Sequence, residues 1–260
     1  MIGSADPWHV QNVPPDAVRS KSVVQFDPLP EIGREVADRY YRGAHTGYAR
    51  RFMRAMPDIV SYHIGLATGG FDIAGGFAAP PPTFRYLTMR FATSAGLDIP
   101  AELADRLAED HRVFLCNIRG FGVAESVRFD RLGRATSLQR YQFEYERTDD
   151  EPDAVSAERL DRQVSSIERL IGEAFGARLL VVDRVVAERR PLAIDQPGQR
   201  LSAELLPRSN RTAFISVYFD QEEWAQEWFG RDDVRAAVLG TGWSAVRGAK
   251  IDEECGLDRR

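Results

Sequence analysis

The chain has 260 residues, 43% of them hydrophobic and 28% charged, with a formal net charge of −5. That is the balance of a folded globular protein of one large domain or two ordinary ones, and the net acidity argues against a nucleic-acid or anionic-membrane partner. No apolar run approaches the roughly 18–20 residues that span a bilayer, and two distant cysteines, Cys116 and Cys255, make no CxxC pair or disulfide scaffold.

Residues 1–20 carry Pro7, Pro14 and Pro15 and read as a loose tail; Met1–Val10 has no apolar block, so a cytoplasmic protein is expected. Ser22–Asp27 reads as a short strand. A helix is expected from Glu31 to Met56, stopped by Pro57, with Ile32, Val36, Tyr40/Tyr41, Ala44, Tyr48, Phe52 and Met56 on its apolar face. Gly43 and Gly47 weaken its middle, where a bend or break is expected. Asp58–Ala67 alternates as a strand: Val60, Tyr62, Ile64 and Leu66 point one way, Ser61, His63 and Gly65 the other. Thr68–Pro82 is rich in Gly, Ala and Pro and reads as a long loop able to cover a pocket mouth. Thr83–Thr93 is the next strand, and a helix is expected from Pro100 to about Asn117, carrying Leu103, Leu107, His111 and Phe114/Leu115. A Gly120–Gly122 turn then leads to a strand at Ala124–Phe129.

The second half follows the same order. Leu138–Glu146 reads as a strand, Ser156–Phe175 as a helix with Leu160, Val164, Ile167 and Ile171 in its stripe, and Arg178–Ala187 as a strand. Glu188–Asn210 is a second long loop, followed by strand Thr212–Asp220, helix Glu222–Leu239 and strand Trp243–Ile251. Each half is βαββαβ, the ferredoxin-like plan. The expected fold class is α+β: tandem ferredoxin-like units, near 21–131 and 136–256, packed sheet against sheet as an α+β barrel within one chain, which is then a monomer or a homodimer.

Arg39-Tyr40-Tyr41-Arg42-Gly43-Ala44-His45, followed by Met56-Pro57-Asp58-Ile59-Val60-Ser61-Tyr62, resembles the EthD-like family of the dimeric α+β barrel proteins. Tyr41 and His45 match that family's aromatic residue and histidine; Pro57 and Tyr62 match its entry to the second strand. Ala108-Glu109-Asp110-His111-Arg112-Val113-Phe114-Leu115 looks like its "Asp…Phe-Leu" helix. The family often has proline two residues after the histidine, where this chain has Gly47. The resemblance covers residues 22–130; the second half shares only element order. It implies small decarboxylases, dehydratases, cyclases or cofactor-free monooxygenases acting on phenolic or polyketide compounds.

All four histidines lie at or before residue 111. His45 and His111 sit at the apolar faces of two helices that share a sheet face in a ferredoxin-like unit, and imidazole suits proton transfer near neutral pH. They are the candidate acid/base pair, with Tyr41 one turn before His45; satisfied core histidines, or metal ligands, are the alternatives. Tyr48, Tyr86, Arg90 and His63 are the candidate substrate-binding residues, Arg90 for a carboxylate, unless it forms a buried ion pair with Asp110. The parity of His63 leaves open whether it faces this pocket or the space between the halves. No metal and no cofactor are called for. Haem enzymes of tandem ferredoxin-like architecture ligate iron through a histidine in the C-terminal domain, and none exists here. Gly240-Thr241-Gly242 follows a helix and enters a strand, the reverse of a dinucleotide fingerprint. The expected function is a cofactor-independent lyase (decarboxylation, dehydration or cyclisation) acting on a phenolic or polyketide-like small-molecule acid. The alternatives are a cofactor-free monooxygenase of a phenolic substrate and a non-enzymatic binding or assembly module.

Overall fold

The computed structural model describes residues 18–71, 83–94, 101–132, 138–189 and 209–258. In chain order these form β1 (Ser20–Pro28), α1 (Gly33–Tyr40), a π-helical turn (Tyr41–His45), α2 (Thr46–Ala55), β2 (Ile59–Phe71), β3 (Arg85–Phe91), α3 (Ala101–His111), β4 (Leu115–Asp130), β5 (Gln139–Glu146), α4 (Asp153–Gly172), β6 (Ala177–Arg189), β7 (Arg211–Phe219), α5 (Glu222–Gly230), α6 (Asp232–Leu239) and β8 (Ala245–Asp258).

All eight strand pairings are antiparallel and close into a barrel ordered β1-β3-β2-β8-β5-β7-β6-β4. The first half supplies the run β4-β1-β3-β2 and the second β8-β5-β7-β6, each the strand order of a ferredoxin-like sheet. Two long ladders join them. β2 pairs with β8 from Ser61↔Asp258 to Phe71↔Gly248, and β4 pairs with β6 from Gly120↔Arg189 to Asp130↔Leu179. The halves therefore join edge to edge, and closure leaves none of these strands with an unpaired edge. This is the expected α+β barrel.

Strand alternation separates two environments. On β5, Tyr141, Phe143 and Tyr145 face α4–α6, whereas Arg140, Gln142 and Glu144 point into the barrel; all six are at most 4% exposed. The helix-side layer of the second half is apolar. Leu160, Val164, Ile167 and Ile171 pack with Trp228, Phe229 and Val234, and each buried side chain of this size contributes roughly 1.5–3 kcal/mol. The Trp228 indole N–H donates to the Leu170 carbonyl at 3.2 Å and the Tyr145 hydroxyl to the Val238 carbonyl at 2.7 Å. The first half packs Phe26, Tyr41, Phe52, Phe84, Leu107 and Phe114 in the corresponding layer.

Several boundaries differ from the sequence reading. The long first helix is interrupted by the π-helical turn, and its buried stripe is Ala37, Tyr41, His45, Ala49, Phe52, Met53 and Met56. The wider turn moves His45 onto the stripe and leaves Ala44 and Tyr48 outside it. The Thr46 hydroxyl donates to the Tyr41 carbonyl at 2.8 Å, the same oxygen that the Thr46 backbone N–H bonds across the wider turn. The α3 helix ends at His111 rather than near Asn117, and Gly120–Gly122 lies within β4 rather than in a turn, because pairing to β1 on one side and β6 on the other holds the backbone extended. Thr68–Phe71 continues β2, and Glu188–Arg189 continues β6. The remainder of the two expected loops, 72–82 and 190–208, lies outside the described residues, as does the 1–17 tail. The expected Glu222–Leu239 helix breaks at Arg231, whose extended backbone (φ −75°, ψ 136°) separates α5 from α6. Among the described residues no helix is long and apolar enough to cross a membrane.

Candidate active site

The π-helical turn and the C-terminus of α3 bring His45, Asp110 and His111 together; they are 3%, 4% and 4% exposed. His45 Nδ1 lies 2.5 Å from Asp110 Oδ2, and the Tyr40 hydroxyl donates to Asp110 Oδ1 at 2.7 Å. The His45 and His111 ring centroids are 5.2 Å apart. Aromatic rings wall the group: Tyr41 stands 4.5 Å and Phe114 5.3 Å from His45, and Phe26 stands 6.0 Å from His111. The two histidines are thus in one place, as the sequence suggests. They sit at a π turn and a helix end.

The electrostatics divide the two imidazoles into different roles. Burial alone would push the Asp110 carboxyl up, but hydrogen bonds from His45 and Tyr40 outweigh it, and Asp110 lies below its usual value. It is therefore a carboxylate at neutral pH, an acceptor placed against His45 Nδ1. Burial, reinforced by the neighbouring His45 and opposed by Asp110, holds His111 down at about 3, so it is neutral at pH 7. Its Nδ1 is buried without a hydrogen-bond partner among the described residues. Burial, then the bond to Asp110, raises Tyr40 to about 12, keeping it a donor.

A cation borders this group. Arg85 is 1% exposed; its guanidinium carbon stands 4.0 Å over the Tyr41 ring, and it pairs with Asp38. Tyr62, fully buried, is held well above its ordinary value by burial and by its hydrogen bond with Tyr41. Sequence reading missed Arg85 and gave Asp110 a different partner. The signal for Arg85 was its parity: it shares the β3 face of Leu87, Met89 and Phe91, which points at the helices.

The proposed substrate-binding residues do not join this group. Tyr48 is 37% exposed on the outer side of α2, because the π turn shifts the helical phase. Tyr86, Arg90 and His63 point into the barrel, where β2 and β3 place His63 opposite Thr88 and Ser61 opposite Arg90. The Tyr86 hydroxyl donates to Glu144, and Gln25 Nε2 donates to the same carboxylate at 2.5 Å from the diametrically opposite strand. Arg90 Nη2 pairs with Glu125 at 2.5 Å, not with Asp110. His63 Nδ1 meets Glu253 at 3.3 Å, and Arg140 pairs with that same Glu253. Lys21 bridges Asp183, at 2.7 Å, and Glu125. The barrel interior is thus a network of paired charges, and Arg90 lies in it, on the face of β3 opposite Leu87, Met89 and Phe91. In the second half, the layer corresponding to the His45 group holds no imidazole.

No family model matches the chain, and no curated protein matches it. Solved structures share its fold. An anthrone oxidase-like protein superposes with a TM-score of 0.50 at 10% identity, over 93% of this chain and 95% of its own. Two proteins each described as a "putative monooxygenase" superpose less closely. The one from Lactobacillus acidophilus gives a TM-score of 0.47 at 12% identity over 91% of this chain and 94% of its own, and the one from Fusobacterium nucleatum 0.49 at 12% over 93% and 97%. At this identity the likeness concerns architecture: the chain has the α+β barrel fold, with its buried His–Asp–His group on the helix side of the first half.

Proposed function

We propose that the protein is an acid–base enzyme of the lyase type, acting without a cofactor on a small phenolic or polyketide-like acid. The observation that carries this reading is the His45–Asp110–Tyr40 relay beside a neutral, partner-seeking His111. Asp110 fixes the His45 tautomer, so Nε2 takes a proton from a phenol or activated carbon, and the imidazolium that forms is stabilised by the carboxylate. His111 Nδ1 offers a second site for the same substrate. The surrounding Tyr41, Phe114 and Phe26 rings suit an aromatic ligand, and Arg85 supplies the nearby positive charge that favours an anionic one.

A second reading shares the first step. A phenolate formed at His45 can reduce oxygen directly, as in a cofactor-free monooxygenase, and the names of the structural neighbours favour this version. Oxygen consumption separates the two, because the lyase turns over anaerobically.

The test is a panel of phenolic and β-keto acids, including 2,4-dihydroxybenzoate, incubated in D2O and followed by proton NMR. Deuterium exchange or product formation is expected with the wild type. His45→Ala and Asp110→Asn should each slow it roughly 10²–10⁴-fold with the fold intact. Exchange that is equally fast in both variants refutes the reading. Saturable ligand binding with no exchange in any protein would point to a non-enzymatic binding module.

A further inference from the structure

The geometry points to a binding site for one divalent transition-metal ion formed by His45, Asp110 and His111. One ligand atom from each residue lies within 4.8 Å of the others, and all three residues are buried. Two imidazoles and a carboxylate form a mixed nitrogen–oxygen set, which favours zinc, iron(II) or cobalt(II) over magnesium or calcium. Three protein ligands with open positions is also the pattern of accessible rather than purely structural sites.

Two independent features support the site. The Nδ1 atom of His111 is buried with no hydrogen-bond partner among the described residues, so a buried nitrogen already lacks the partner that a metal would supply. Asp110 in turn is held from behind: Tyr40 donates to Oδ1, leaving Oδ2 toward His45, the outer-shell arrangement that orients a ligating carboxylate. Bonds of about 2.0–2.1 Å at tetrahedral angles place ligand atoms ~3.4 Å apart. On binding, the 2.5 Å His45–Asp110 contact opens to that spacing, and separations of up to 4.8 Å close to it.

Binding has a consequence that rests on the acid–base reading. His45 Nδ1 faces Asp110, so it is the nitrogen that meets the ion. The ring proton then resides on Nε2, and the lone pair that would abstract a proton is gone. The ion-loaded and proton-transferring forms are mutually exclusive: zinc inhibits turnover, and chelation preserves it.

The binding test needs no substrate. Full-length protein stripped with EDTA is titrated with cobalt(II) and followed by visible absorption and calorimetry, then with zinc(II) in competition. One cobalt per chain with visible ligand-field bands, displaced by zinc, is expected. Asp110→Asn and His111→Ala should each weaken binding at least 10-fold, and His111→Gln provides a second variant if the alanine form does not fold. His63→Ala, in the barrel interior, should leave binding unchanged. No saturable binding, or binding retained in the Asp110 and His111 variants, overturns the site. Because the spectrum is read without turnover, cobalt binding in a protein inert toward every acid in the panel supports the site while defeating the acid–base reading. Turnover without cobalt binding does the opposite.

Discussion

Replacing His111 with leucine should flatten the acid dependence of stability. In the fold this imidazole titrates at about 3 rather than its ordinary 6.5, chiefly because it is buried and secondarily because His45 lies beside it. The unfolded chain therefore binds a proton between those values that the folded chain does not. The sign follows: the stabilisation is present above 6.5 and declines as pH falls toward 3. Between pH 7 and pH 5 the unfolded state gains most of that proton while the folded state gains almost none. Integrating the two titrations over this interval gives a loss of about 2 kcal/mol. The interval lies above the ordinary range of most carboxylates, so their contribution is small and common to both proteins. Urea unfolding at pH 7 and pH 5 measures it directly. Wild type should lose about 2 kcal/mol more than His111→Leu on acidification. Leucine is apolar and meets Phe26 and Phe114, so the variant should fold. Equal losses in the two proteins would refute the reasoning and show that His111 is hydrated or hydrogen-bonded in solution.

The barrel interior yields further expectations. Lys21→Met removes the ammonium between Asp183 and Glu125, leaving buried carboxylate charge uncompensated. It should cost about 3–5 kcal/mol, read as a lower urea midpoint, and Lys21→Met combined with Asp183→Asn should recover part of it. The Lys21 and Arg90 charges hold Glu125 down at about 2 against the effect of burial. Its stabilisation is present above the ordinary glutamate range and lost as pH falls toward 2, so Glu125→Gln should unfold less steeply with acid below pH 4.5. Gly65→Ala would set its Cβ 2.4 Å from Ile251 Cγ2, across the β2–β8 seam. A cost of about 1–3 kcal/mol is expected, relieved in the double variant with Ile251→Ala.

The architecture was legible because alternation and element order are local properties. Tyr141, Phe143 and Tyr145 announce one buried face of β5, and the twice-repeated βαββαβ order, combined with antiparallel edges, admits few closures. The candidate site was only half legible. His45 and His111 stood out because imidazoles are scarce in this chain and each neighbours an apolar stripe. Their link, Asp110, looked like one more acidic residue in Ala108-Glu109-Asp110, since helical position alone does not say which carboxylate turns inward. A regular 3.6-residue phase put Tyr48 on the stripe; a π turn conserves no such phase, and glycines announce a weak point without saying how it deforms. Arg90 and Tyr86 went to the wrong compartment for a different reason. Both faces of a closed barrel are buried, so burial does not distinguish the helix side from the interior. Arg85, on the alternate parity, was the arginine on the helix side, stacked over Tyr41.

The two halves of the barrel divide the physical work. In the second, the layer between sheet and helices is filled by Leu160, Val164, Ile167, Leu170, Trp228 and Phe229, with the Trp228 indole and the Tyr145 hydroxyl donating to carbonyls. Such a layer is dominated by apolar burial and is a source of net stability. In the first, the corresponding layer holds a carboxylate, two imidazoles and a guanidinium at 1–4% exposure, an arrangement that burial disfavours, as the depression of His111 shows. A single ferredoxin-like unit of about 110 residues would carry that cost within a small core. Here the β2–β8 and β4–β6 ladders tie the polar half to the apolar one. Destabilising the second half, for example with Trp228→Ala, should therefore lower the urea midpoint of the whole chain in one transition observed at both Trp and Tyr signals. Two separate transitions would show that the polar layer is stable on its own and that the barrel seams carry no such coupling.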